Sequence, residues 1–120
     1  MNKEFVPYEL AVKLKELGFD EPCLGYYSNV EFVFGNHTNN VMQRFRYSAP
    51  TYQQAFRWFR EKHEVFGIVN FGTNDFTFNI YNSDGLGLLT KESLAFNGAY
   101  EEAELACLTR LIEIVEQYKN

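Results

Sequence analysis

The sequence predicts a single α+β domain over residues 1–120, with the element order α-ββ-α-ββ-α. A roughly four-stranded antiparallel sheet is expected to pack one face against the helices. The first observation behind this prediction is the length, since 120 residues is a common size for one domain. The second is the periodicity, because apolar residues recur at helical spacing in three stretches and alternate in four others. The third is the composition, with 46% apolar and 22% charged residues, which allows a core without disulfides or a metal.

The first helix is predicted over residues 7–17. Pro7 suits the first turn of a helix, and Gly18 offers a left-handed stop after the last turn. The apolar face consists of Leu10, Ala11, Leu14 and Leu17.

A first hairpin is predicted from two alternating stretches, residues 26–34 and 41–47. The composition of residues 35–40 is typical of a loop. In the second stretch Arg44 and Arg46 fall on the face opposite the aromatic residues.

A second helix is predicted to begin at Thr51, whose hydroxyl can accept a hydrogen bond from a free backbone N–H, and to end near His63. One arc of this helix is apolar, Trp58 flanks the arc, and the charged side chains face away. The arc is formed by Tyr52, Ala55, Phe56 and Phe59.

A second hairpin is predicted from residues 66–71 and 76–81, joined by residues 72–75. In the second of these strands the apolar residues Phe76, Phe78 and Ile80 alternate with more polar ones. Residues 83–99 are expected to pack against the domain and to include a short edge strand.

A third helix is predicted over residues 101–118, with acidic residues in its first turn that suit the helix dipole. The apolar residues of this helix form a stripe along it. The stripe is wide enough to predict either deep burial between layers or a partner on its second flank. The stripe consists of Leu105, Leu108, Leu111, Ile112 and Val115, widened by Cys107, Ile114 and Tyr118.

An internal repeat is hinted at by two short stretches, residues 52–55 and 100–103. Each opens a predicted helix with a tyrosine, a polar pair and an alanine, and they stand 48 residues apart. Two ββα units would give this pattern, and so would the ordinary chemistry of a helix start.

Three parts of the sequence are similar to one protein family. They are EFVPYELA with LGFDEPC (4–11 and 17–23), AFRWFREK (55–62), and YEEAELACL with LIEIV (100–108 and 111–115). The chain resembles a family of short uncharacterised proteins from gut Bacteroidetes and their phages or mobile elements. The resemblance implies no established activity, cofactor or catalytic residue, and it suggests a phage or mobile-element context.

The charge and cysteine content narrow the classes of function. A net charge of −5 repels phosphate backbones and anionic membranes, which argues against general nucleic-acid or lipid binding. No run approaches the 18 apolar residues of a membrane span, and the first residues begin no export segment. Cys23 and Cys107 are therefore expected to be buried free thiols in a cytoplasmic protein.

No motif for metal binding or catalysis is found in the sequence. His37, His63, Cys23 and Cys107 lack the paired spacing of metal ligands, which predicts no metal and no cofactor. Cys107 lies beside the apolar stripe of an acidic helix, which predicts an inert thiol rather than a nucleophile. The chain is thus predicted not to be an enzyme.

A candidate interaction surface is formed by four arginines and one tryptophan. Arginine forks can bind phosphates or carboxylates, and a half-exposed tryptophan can stack on a base or anchor a protein partner. Solvated charges beside a core tryptophan would give the same pattern. The residues are Arg44, Arg46, Arg57, Trp58 and Arg60.

The sequence therefore predicts a non-enzymatic accessory or protein-interaction domain that binds a protein partner or associates with itself through an aromatic or helical surface. The alternative is a small nucleic-acid-binding module that uses the arginines and Trp58.

Overall fold

The backbone alternates helices with two groups of strands. The computed structural model describes residues 4–40, 42–71, 76–82, 88–94 and 100–119. The predicted α+β class is confirmed. In the described residues the order is α1 (Tyr8–Glu16), β1 (Cys23–Ser28), β2 (Glu31–His37), β3 (Arg46–Ser48), α2 (Tyr52–Trp58), a π-helical turn (Phe59–His63), β4 (Val65–Phe71), β5 (Phe76–Asn82), β6 (Leu88–Leu94) and α3 (Tyr100–Lys119).

The chain forms two compact units, Met1–Gln54 and Ala55–Asn120. Within the described residues, the first contains a sheet of order β2-β1-β3 and the second a sheet of order β4-β5-β6, with every pairing antiparallel. The predicted single sheet of about four strands is therefore replaced by two separate sheets. Consecutive strands tend to pair with one another, and α2 with its π-helical turn separates the two groups along the chain. That residues 1–120 form one domain stays a prediction.

The stretch predicted as one strand over residues 26–34 is instead a hairpin with its turn in the middle. Ser28 pairs with Glu31 across Asn29 and Val30, and Asn29 has a left-handed φ of 54°. Asparagine tolerates that conformation, which is why it favours turns. The alternation of side chains continues across the turn, so the periodicity concealed it. The predicted pairing of residues 26–34 with 41–47 is retained only where Tyr27 and Ser28 of β1 pair with Tyr47 and Arg46 of β3, and the β1–β2 pairing was not predicted.

Aromatic rings on one face of the first sheet pack against α1, and this face is called the inner face. The Tyr8 ring meets the Tyr27 and Tyr47 rings edge to face, each at 5.7 Å between centroids. The Tyr27 hydroxyl donates to the Val6 carbonyl at 2.8 Å. Burial, followed by the Glu9 carboxylate, raises the pKa of Tyr27, so the phenol remains protonated and keeps this hydrogen bond.

Helix α2 begins and ends close to the predicted residues. The Thr51 hydroxyl accepts a hydrogen bond from the Gln54 N–H at 3.2 Å, as expected for a residue at this position. The π-helical turn carries the helix on to His63, and Glu64 closes it with a left-handed φ of 58° and a hydrogen bond to the Phe59 carbonyl.

Helix α3 packs on the sheet of the second unit at a close approach. A Cβ atom at Gly67 would lie 2.8 Å from the Cys107 sulfur and 2.9 Å from Leu111 Cδ1, so glycine permits this contact. On the neighbouring strand Phe78 and Ile80 are buried, which confirms the alternation predicted for β5.

The buried stripe of α3 agrees with the sequence except at one position. Leu108, Leu111, Ile112 and Val115 are buried, with Cys107 and Ile114 widening the stripe as predicted. Leu105 is 38% exposed and lies outside it, which corrects that prediction. The predicted place of Tyr118 lies outside the described side chains.

The region predicted over residues 83–99 contains β6 (Leu88–Leu94), which pairs with β5 at an edge of the second sheet. The expected edge strand is therefore present. Residues 83–87 and 95–99 lie outside the described residues, as does the predicted connection at 72–75.

Candidate functional site

The arginines of the candidate interaction surface are all exposed, but they fall in different units. Arg44 precedes β3 and Arg46 opens it, both in the first unit. Arg57 lies in the last turn of α2 and Arg60 in the π-helical turn, both in the second unit.

Trp58 is only 2% exposed, which agrees with the alternative of solvated charges beside a core tryptophan and not with a half-exposed tryptophan. Its ring packs edge to face on Phe59 at 5.1 Å and on His63 at 4.8 Å between centroids. Trp58 follows Ala55 by three residues, and residues at that spacing share a helix face. The apolar arc is therefore wider than the sequence analysis assumed, and Trp58 is a core side chain rather than a platform for a base.

The edge of β3 is covered by the Lys15 side chain. The Lys15 ammonium donates hydrogen bonds to the backbone carbonyls of Gln43 and Arg46, the latter at 3.1 Å. It also lies over the Tyr47 ring, 5.1 Å from the centroid, and burial lowers its pKa. This lysine thus ties α1 to the chain segment that leads into β3.

A three-layer stack lies on the outer face of the first sheet. The Arg46 guanidinium lies 5.6 Å from the centre of the Tyr26 ring. Tyr26 in turn stacks on His37, with 4.8 Å between the ring centroids and 22° between the planes. A planar guanidinium on an aromatic face can hold an anionic or planar group beside it.

His37 and Ser48 join the end of β2 to β3 through a buried hydrogen-bond network. His37 Nδ1 lies 2.7 Å from the Ser48 hydroxyl oxygen, and His37 Nε2 lies 3.0 Å from Gln43 Oε1. An amide oxygen only accepts, so Nε2 donates to Gln43 and, in the neutral ring, Nδ1 accepts from the Ser48 hydroxyl. Asn39 extends the network by accepting from the Ser48 N–H at 2.8 Å.

The environment of His37 favours a neutral ring. Burial lowers its pKa, the positive charges of Arg46 and Lys15 lower it further, and the hydrogen bond to Gln43 acts in the opposite direction. The Ser48 hydroxyl and the His37 imidazole are as close as a catalytic nucleophile and its general base. Ser48 is fully buried, however, so this pair fastens two strands and offers no exposed nucleophile.

Both cysteines are buried free thiols, which confirms the sequence prediction. Burial, followed by the nearby Glu21 carboxylate, raises the pKa of Cys23 to about 12. A thiol with such a pKa carries almost no thiolate near neutral pH, and the thiolate is the nucleophilic form.

Large apolar side chains are strongly exposed in the first unit, a feature that the sequence analysis missed. Five of them are between 66% and 83% exposed: Leu24, Val30, Phe34, Met42 and Phe45. In the second unit the exposed large apolar residues among those described, Ile68, Tyr100 and Leu105, reach at most 47%. For Phe34 the signal available in the sequence was the apolar run of residues 32–34, on a strand that lies at an edge of the sheet.

A phenylalanine cluster lies on one face of the first sheet, where Phe32 and Phe5 cover Gly25 of β1. The Phe32 ring lies 5.0 Å from Phe5 and 5.1 Å from Phe34, and Phe5 lies 6.0 Å from Phe34, measured between ring centroids. Phe34 is 67% exposed. Phe5, Phe32 and Phe34 are called the phenylalanine cluster below.

The described residues contain neither a cluster of metal ligands nor a membrane-spanning helix. Among them, no group of three or more His, Cys, Asp or Glu side chains could hold a metal ion. None of the helices in the described part of the chain is long and apolar enough to cross a bilayer.

The sequence matches no protein-family model, and no curated protein or solved structure is significantly similar to it. The resemblance to short proteins of gut Bacteroidetes and their phages or mobile elements stays a prediction.

Proposed function

We propose that the chain is a non-enzymatic protein-interaction domain that binds through the exposed apolar residues of its first unit. The observation that carries this proposal is the exposure of Leu24, Val30, Phe34, Met42 and Phe45 on one small sheet and its loops. Single apolar residues are common on protein surfaces, but several large ones in one region are typical of surfaces that another molecule covers.

The reactive side chains of the first unit support a binding role rather than catalysis. Ser48, His37 and Cys23 are buried, and their hydrogen bonds hold strands and loops together. Buried free thiols are also compatible with the reducing cytoplasm, where we place the protein. The sequence resemblance suggests an accessory role in a phage or mobile element.

Site-specific photo-crosslinking tests this proposal. A benzophenone amino acid is placed at Leu24 or Phe45, and at exposed Gln53 in the same unit as the matched control. The tagged variants are irradiated in lysate from gut Bacteroidetes. We expect discrete adducts, with another protein or with a second copy, at Leu24 or Phe45 and not at Gln53. Absence of adducts at the apolar positions, or equal adducts at all three, would contradict the proposal.

Nucleic-acid binding is the second candidate function, and one set of contacts favours it. Arg46 lies over the Tyr26 ring and Lys15 over the Tyr47 ring, with Arg44 exposed nearby in sequence. Residues 1–54 carry five Lys or Arg against six Asp or Glu, whereas residues 55–120 carry six against ten. Repulsion of a phosphate backbone is thus weaker for the first unit.

Fluorescence anisotropy with a labelled single-stranded oligonucleotide at low salt tests this second candidate. Binding that falls with added salt and weakens in Arg46→Ala but not in Arg60→Ala would support it. No binding by the wild type, or equal weakening in the two variants, would rule out this surface as the site.

A further inference from the structure

The first sheet has two unlike edges. The β3 edge is three residues long, and the Lys15 ammonium covers it by donating to the Arg46 carbonyl. Short edge strands and nearby lysines are two ways in which proteins prevent strands from adding to a sheet. The β3 edge is therefore protected.

The β2 edge lacks this protection. The strand is seven residues long, contains no Lys, Arg or Pro, and pairs within the described residues with β1 alone. Its pairing with β1 is regular from Glu31 to Phe34, a β-bulge follows before His37, and Phe34 is 67% exposed. A long edge that carries an exposed apolar side chain invites another strand.

The pairing register shows which backbone groups face the open edge. Ser28 and Glu31 flank a two-residue turn, so they form a hydrogen-bonded pair, and pairs alternate in type along an antiparallel ladder. The N–H and C=O groups of Phe32 and Phe34 consequently point away from β1. The surface offers hydrogen bonds to an extended backbone and apolar contact to its side chains, which is the chemistry of β-strand addition.

We infer that the partner at this edge is a second copy of the chain, whose β2 strand pairs antiparallel with β2 across a two-fold axis at Phe34. This inference rests on the proposed interaction function. The outward-facing backbone groups of Phe34 then bond to those of the partner copy's Phe34. The two sheets join into one sheet of six strands.

Side chains and charge both suit a second copy. Antiparallel pairing about Phe34 places aromatic ring beside aromatic ring, so the phenylalanine cluster continues across the axis. Residues 1–54 have five Lys or Arg against six Asp or Glu, so two first units approach with little repulsion.

Sedimentation equilibrium of the purified full chain tests the inference. The wild type should form dimers in a concentration-dependent way. Phe34→Lys should weaken the dimer by at least roughly 30-fold, as expected for a central aromatic residue. Gln53→Lys is the control, because Gln53 is exposed in the same unit and is not one of the apolar residues to which binding is assigned. It should change the dissociation constant by less than roughly threefold.

Disulfide trapping tests the register and needs no disruptive charge. In a hydrogen-bonded antiparallel pair the Cα atoms stand about 5.5 Å apart, a separation that a disulfide can bridge. Phe34→Cys should therefore form a covalent dimer on mild oxidation, and Gln53→Cys should not. Cys23 and Cys107 are buried and should give no background.

A wild type that stays monomeric up to millimolar concentration would overturn the inference. So would a dimer that Phe34→Lys leaves intact while circular dichroism shows a folded chain, or trapping at Gln53→Cys instead of Phe34→Cys. If the chain is monomeric and yet gives the expected adducts with another protein at Leu24 or Phe45, the proposed function stands and this inference fails.

Discussion

The two units bury their apolar side chains in different ways. In the second, α3 and its sheet enclose aliphatic residues completely, with Leu108, Leu111 and Ile80 all fully buried. In the first, much of the packing consists of rings that meet edge to face, such as Tyr8 with Tyr27. Several large apolar residues there remain at the surface. Under the proposed function, the second unit uses its apolar residues for folding, whereas the first reserves some of them for association.

The largest expected effect lies in the core of the second unit. Leu108→Ala should lower the free energy of unfolding by about 2–5 kcal/mol, because it removes fully buried methyl groups and leaves a cavity. Leu105→Ala, on the same helix but 38% exposed, should cost under about 1 kcal/mol. Urea unfolding measures both. Equal losses would mean that the buried stripe of α3 does not carry the stability assigned to it.

The close approach of helix and sheet in the second unit predicts the next effect. Gly67→Ala should destabilise by about 1–3 kcal/mol, because its Cβ would overlap the Cys107 sulfur and Leu111. Cys107→Ala removes one of these atoms, so the double variant should lose less than the sum of the two single losses. Thermal unfolding of the wild type, the two single variants and the double variant gives the coupling free energy between positions 67 and 107. Simple additivity would contradict the close contact.

In the first unit, substitution of the glycine that follows α1 is expected to lower the free energy of unfolding by about 1–2 kcal/mol. Gly18 has a φ of 97°, and a Cβ there would touch nothing within 4 Å. Gly18→Ala should therefore cost about 1–2 kcal/mol through backbone strain alone. Gly18→Asn should cost less, because asparagine tolerates left-handed conformations. Denaturant midpoints compare the two, and an alanine variant as stable as the wild type would contradict this conformation.

The smallest predicted effect is a pH dependence that arises in the first unit. Because folding lowers the pKa of His37 from its ordinary value of 6.5, the unfolded chain binds a proton more readily. The contribution of His37 to the free energy of unfolding is fully present above pH 6.5. It is lost as the pH falls through the lower pKa that His37 has in the folded chain. The groups that face the ring are Lys15, Tyr26, Gln43, Arg46 and Ser48.

Urea unfolding at about pH 7.5 and about pH 5.5 checks this dependence. The wild type should lose more stability between the two pH values than His37→Gln, which cannot titrate at that position. The difference removes the contribution of carboxylates and of His63, which both proteins share. Parallel losses in the two proteins would contradict a neutral buried His37.

The helices could be predicted from the sequence because each carries its own signals. Gly18 stops α1, Thr51 precedes α2, and acidic residues open α3. Strand pairing depends on residues far apart in sequence. The alternation of apolar and polar residues does not show where the chain turns, because it can continue across a turn. The turn at Asn29 was missed for that reason.

The candidate site was predicted only in part. The exposure of the arginines could be predicted from their spacing along helices and strands. The burial of Trp58 could not, because it depends on how much of the circumference of α2 the rest of the fold covers. The His37 network joins residues 11 positions apart that no local pattern connects. The exposed Phe34 follows from the position of β2 at a sheet edge, which is a property of the assembled sheet.

The suggested repeat shows the same limit. Tyr52 and Tyr100 each begin a helix that follows a sheet of three strands. The first strand is central in the first sheet, whereas the second strand is central in the second sheet. The short repeated pattern therefore marks two helix starts, and the two sheets differ in topology.

The central claim is that apolar surface left exposed in the first unit is covered by a second copy at β2. A concentration series of amide NMR spectra on the full chain tests it most directly, because each residue reports separately. The account predicts concentration-dependent shifts along Glu31–His37 and at Phe5, with α3 unchanged. Shifts confined to α3, or none from micromolar to millimolar concentration, would contradict it.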